Sequence, residues 1–307
     1  MPLVRSFTNR DEQAWRSTGD RSTDPSPSGS LFLVRPAHDS TTVLYAWLAR
    51  LFLGVSFFAF GFQEFRYSGY VPDLGLVPYG AHAHRFLGWI AGTILLLGAG
   101  SILTGRFPRY LMYVLGPAFL LGAVSRFFFH VPELFTSTPY RTVFFELIAC
   151  CAGSWMIAAL FSSQSDDPLA QKLGAAGYWL FAIATIIYGI GHFAATAFVA
   201  SVIPRWIPSH VFFTYFTGAA LIAAGLAIVA RVWIRPAAAL LGLMFFLWVV
   251  LLHAQRILHA VHDADEWNSG FVCLTMSGCA LLVAALAGRL RRPSDVAKER
   301  PAAQQLN

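Results

Sequence analysis

Eight successive apolar runs, each close to the roughly 20 residues a helix needs to cross the hydrocarbon of a bilayer, constrain this chain more than any other feature. They cover residues 43–62, 86–103, 110–128, 142–161, 176–198, 211–230, 236–256 and 269–288. Inside lipid a backbone amide has no water to bond, so each run must close its own hydrogen bonds as a helix. The expected fold is all-α, a polytopic membrane bundle of eight transmembrane helices. Composition agrees: 56% of residues are hydrophobic and 12% charged, with a mean hydropathy of +0.57, outside the range of soluble domains of this length.

The formal charge of +6 raises the question of nucleic acid. Arginines are scattered through short links and form no aromatic-interleaved stripe, so the expected partner is the lipid bilayer and not nucleic acid. Placing both termini in the cytoplasm puts sixteen of the 22 Lys and Arg residues in inner segments. Arg66, Arg85, Arg126, Arg141, Arg205 and Arg256 remain outside. The positive-inside rule therefore gives an N-in, C-in, multi-pass orientation. Residues 1–42 are polar, lack the apolar core of a signal peptide and read as a disordered cytoplasmic tail. Residues 289–307 read as a second cytoplasmic tail.

A shift of 126 residues superposes Pro78 on Pro204, His84 on His210, Gly92 on Gly218, Arg109 on Arg235 and Gly116 on Gly242. Matches at loop, helix-start and mid-helix positions point to duplication. Two four-helix repeats, 43–161 and 176–288, would be joined by a cytoplasmic link at 162–175. With four spans each, the copies enter the membrane in the same sense, as a parallel repeat.

Under this topology all eight histidines beyond the N-terminal tail fall at the outer face. Glu64 and His192 stand near the outer ends of spans one and five, and His84 and His210 start spans two and six. Arg126 and His130 close span three as His253 and Arg256 close span seven, and Glu146 sits one turn into span four. Ionisable groups at such depth are costly unless paired or wetted, which makes this cluster the candidate polar site. Arg126 with Glu146 is one pairing that would lower the cost. Interfacial snorkelling and helix-to-helix bonding are the plainer alternatives.

Other patterns carry less. His82 with His84, and His259 with His262, Asp263, Asp265 and Glu266, have ligand chemistry but no metal-site spacing, so no metal is expected. Histidines at helix ends do not suit bis-imidazole haem. Gly189-x-Gly191-x-x-Ala194 imitates a dinucleotide fingerprint inside a hydrophobic span with no strand before it. Gly88 and Gly92 have the spacing of close helix packing. The four cysteines lie in apolar runs and form no CxxC motif.

The second repeat resembles the DoxX-like family of small bacterial membrane proteins. The residues that carry the resemblance are GIGHFAATAFVASVIPRWIPSHVFFTYFTGAALIAAGLAI at 189–228, LGLMFFLWVVLLHAQR at 241–256 and EWNSGF at 266–271. The resemblance covers 176–286 well, and 44–160 faintly through the repeat. It implies a bacterial inner-membrane location and a redox association, with quinone as the cofactor and a redox protein as the partner to test. It brings no catalytic residue set. Three functions stay open: a quinone-linked redox subunit, a small-solute transporter with a site between repeats, and a non-catalytic membrane partner of an extracytoplasmic protein.

Overall fold

The computed structural model describes residues 40–67, 85–162 and 167–289. Most of the two expected tails, His82, His84 and the side chain of Arg126 lie outside the described residues, and with Arg126 goes the expected pairing to Glu146.

Every regular element among the described residues is helical. The long helices are α1 (Ser40–Arg66), α2 (Arg85–Thr104), α3 (Pro108–Phe129), α5 (Thr138–Leu160), α6 (Pro168–Ala194), α8 (His210–Ala230), α9 (Ile234–Trp248) and α11 (Ala264–Leu286). Short helices α4 (Val131–Thr136) and α7 (Thr196–Val202) fill two connections, and α10 (Ala254–His259) continues α9 through a π-helical segment, Val249–His253. Among the described residues seven helices are long and apolar enough to span a membrane, with α9, the π segment and α10 counted as one. The chain is a polytopic helical membrane protein. Helix α3, 22 residues long, is not among the seven.

Helix starts follow local chemistry. Asp167 caps α6 by accepting from the Ala170 amide at 3.0 Å, and Pro168 follows at a position where a helix needs no N–H donor. These two signals start α6 within the stretch 162–175 that the sequence suggested as a link. The Asp167 carboxylate also accepts from the Tyr113 hydroxyl at 2.5 Å and lies 4.0 Å from Arg109. The Tyr113 hydrogen bond, then the backbone amide and Arg109, hold this carboxyl below the ordinary aspartate value of 3.8. Its stabilising contribution is full above that value and is lost as pH falls through the lower folded-state value. Tyr113→Phe should therefore raise the Asp167 pKa, as read by NMR titration, and move the acid limb of thermal stability to higher pH.

Packing between helices depends on small residues, because lipid is as apolar as the core and gives little reason for helices to associate by hydrophobicity alone. A Cβ at Gly61 would lie 2.9 Å from the Gly92 carbonyl oxygen, and one at Gly189 would lie 2.7 Å from the Gly218 carbonyl oxygen. Backbones thus meet at α1–α2 and at α6–α8. Helix α11 is buried along nearly its whole length and packs on α1, α5 and α9. Helix α5 packs on α3, α6 and α11. Broad apolar faces, such as Phe58 and Phe62 on α1 and Phe212 and Phe216 on α8, point outward, where lipid can cover them.

Register fixes direction. Leu53 meets Gly278, and Phe60 meets Phe271 with ring centroids 6.5 Å apart, so α1 and α11 run antiparallel. Gly116 against Trp155 and Phe127 against Phe144 make α3 and α5 antiparallel as well. The alternation brings the C-terminal ends of α1, α3, α6 and α10 and the N-terminal ends of α5, α8 and α11 to one end of the bundle.

Candidate functional site

That end holds every described histidine. Polar and aromatic side chains meet along α6, α9, the π segment and α11. His192, one turn beyond Tyr188 on α6, bonds through Nδ1 to the Tyr188 carbonyl at 2.9 Å and stacks on Trp248 at 5.6 Å. Trp248 in turn meets Phe245 edge-on at 5.4 Å. Gly218 lets α8 approach His192 closely: a Cβ there would sit 2.8 Å from the His192 Cβ.

The π segment adds a residue to the turn and re-aims the side chains beyond it, a device often found at functional sites. His253, its last residue, faces α11 with its Cβ 3.5 Å from where a Gly270 Cβ would stand. Arg256, one turn later, grips Glu266 with two bonds of 2.7 and 2.6 Å. Deeper in the same seam the Cys273 thiol donates to the Phe245 carbonyl at 3.3 Å. Glu146, on α5, lies within electrostatic reach of Tyr188, Cys150 and Cys273.

Two polar atoms of this group, the Tyr188 hydroxyl and His253 Nδ1, are buried with no hydrogen-bond partner. A buried group left unpaired forfeits about 1–3 kcal/mol. Both can donate to a carbonyl oxygen, His253 in the tautomer with its proton on Nδ1.

The remaining sequence candidates divide. His130 approaches Glu133 at 3.9 Å and packs on Tyr140 at 4.9 Å, in the connection after α3. His210 starts α8 and bonds the Pro204 carbonyl at 3.2 Å. Glu64 is buried on another side of α11, in the seam of α1, α2 and α11, with Gln63 beside it and Asn268 on α11. The structure ties His192 to Tyr188 and Trp248, places His253 against Gly270 and Arg256 on Glu266 along α11, and leaves Glu146 within electrostatic reach of Tyr188, while Glu64, His130 and His210 lie elsewhere at the same end. His259 and His262 are exposed. Among the described residues no three His, Cys, Asp or Glu side chains gather as metal ligands.

Sequence reasoning missed Gln63, Tyr188, Trp248 and Asn268. An amide or phenol inside an apolar run is unremarkable until its neighbours are known. The adjacency of Gln63 to Glu64 was the one available signal.

In comparisons with protein-family models, curated proteins and solved structures, the chain matches none.

Proposed function

We propose that this chain is an eight-span protein of the bacterial inner membrane, N-in and C-in, built from two parallel DoxX-like repeats, whose outer-leaflet end binds a quinone headgroup. Equivalent contacts support the duplication. Arg50 donates to the Ile102 carbonyl at 3.1 and 3.2 Å, and Tyr178 donates to the Ile228 carbonyl, each linking the first two long helices of its half. His130 packs on Tyr140 where Arg256 binds Glu266, and both members of the second pair lie 126 residues after the first. The turns before α3 and α9 share left-handed residues at Gly105 and Phe107, and at Arg231 and Trp233. Non-glycine residues adopt that conformation rarely.

The observation that carries the quinone reading is the stacking of His192 on Trp248, with an unpartnered buried polar atom further along each chain segment, the Tyr188 hydroxyl one turn before His192 and His253 Nδ1 five residues after Trp248. A flat ring bearing two carbonyl oxygens would meet both needs, hydrogen bonds for the donors and an aromatic neighbour for the ring. Its isoprenoid tail would leave laterally into lipid.

Solvent extraction of protein purified in mild detergent is expected to release quinone near one per chain. Tyr188→Phe removes an unpaired buried hydroxyl, so the empty protein should keep or gain stability while quinone affinity falls about tenfold, the loss of one hydrogen bond of roughly 1.4 kcal/mol. Protein without quinone, and without affinity for added quinone, would overturn this reading.

A further inference from the structure

Where α1 packs on α11, three buried oxygens have no partner: Gln63 Oε1, Glu64 Oε2 and Asn268 Oδ1. Their residues are 5%, 2% and 2% exposed. The α1–α11 register places them at one level. From Leu53 opposite Gly278 to Phe60 opposite Phe271 is seven residues on each helix, and three more bring Gln63 opposite Asn268. Glu64 comes next on α1, with its Cβ 3.1 Å from the place of a Cβ on Gly92, so α2 closes the third side. Ser56, two turns deeper on α1, adds another buried hydroxyl without a partner.

All three orphaned atoms are oxygen acceptors, and Glu64 has neither a hydrogen bond nor an ion pair among the described residues. Oxygen-only ligands suit hard cations, while soft or borderline metals favour His and Cys. Charge balance sets the valence. One carboxylate with two neutral amides is neutralised by a single positive charge, whereas a divalent ion would leave a net charge in a low-dielectric seam.

We propose that Gln63, Glu64 and Asn268 form a binding site for a monovalent alkali cation in the seam of α1, α2 and α11. This site uses none of the groups assigned to the quinone and stands or falls without them. The second half lacks it: Gly189 meets Gly218 as Gly61 meets Gly92, which sets Gly191 and His192 where Gln63 and Glu64 stand, and Thr142 lies 126 residues before Asn268; none supplies a carboxylate, and His192 and Thr142 bond backbone carbonyls on their own helices.

The test uses the purified full-length chain in mild detergent, at constant ionic strength, with sodium chloride or potassium chloride replacing choline chloride. Thermal stability should rise with one or both alkali cations and saturate, and equilibrium binding of radioactive sodium or rubidium should approach one per chain. Glu64→Gln should lose at least tenfold in affinity. Asn268→Ala, which keeps the carboxylate, should lose a measurable part of it. Asn268→Asp, with a second carboxylate, should shift preference toward calcium. Equal stability in sodium, potassium and choline, with no bound radioactive cation, would overturn the proposal using the unmodified protein alone. So would cation binding that survives Glu64→Gln unchanged.

Discussion

Gly189→Leu and Gly61→Leu should each prevent the protein from accumulating as a monodisperse, folded species. At Gly189 even a methyl carbon would fall 2.5 Å from the Ile222 side chain and 2.7 Å from the Gly218 carbonyl oxygen. At Gly61 it would fall 2.9 Å from the Gly92 carbonyl and from Leu96. The nearest atoms include backbone on the opposing helix, so relief requires moving a helix. Overpacking of this kind costs about 1–3 kcal/mol for small insertions, and leucine lies at or beyond the upper end. Gly100→Ala is the control, since nothing lies within 4 Å of its Cβ position. It should be neutral or add up to about 1 kcal/mol through helix propensity. Size-exclusion chromatography and thermal melts of the three variants would separate these outcomes.

The second large effect is expected at Arg256. Its guanidinium holds both oxygens of Glu266, whose side chain is 17% exposed against 40% for Arg256. Arg256→Ala strands a mostly buried carboxylate and should cost about 1.5–3 kcal/mol. Replacing both partners with apolar residues should cost less than the single change, because nothing charged is then left without a partner. A double-mutant cycle read from thermal midpoints gives the coupling directly. An Arg256→Ala protein as stable as the parent would mean that water already satisfies Glu266.

The helices were legible in the sequence because lipid imposes a simple rule: a helix of about 20 residues whose outward face is apolar. The starts of α6 and α11 were not: the apolar runs begin at 176 and 269, while Asp167 with Pro168, and Asp263, whose side chain accepts from the Asp265 amide at 2.9 Å, start the helices at Pro168 and Ala264. The histidines of one end were legible from helix alternation. The π segment was not, because Val249–His253 is as apolar and regular as the turns around it. That segment decides where His253 points. Gln63 and Asn268 were also hidden: their burial depends on the register of α1 on α11, a product of packing by Leu53 and Phe60 that no local pattern encodes. Glu64 and His192 were read as near equivalents. The structure gives them different surroundings, one without a partner and the other bonded to Tyr188 and stacked on Trp248.

An outer-leaflet quinone site requires that the polar end face outward across a membrane. All four cysteines are buried, so introduced cysteines can be labelled over a low background. On intact cells a membrane-impermeant maleimide should label Ser201→Cys and His262→Cys, both exposed at the polar end. Arg106→Cys and Val232→Cys, exposed at the opposite end, should label only after the membrane is permeabilised. The reverse pattern, or labelling of all four positions from outside, would contradict this orientation and the site built on it.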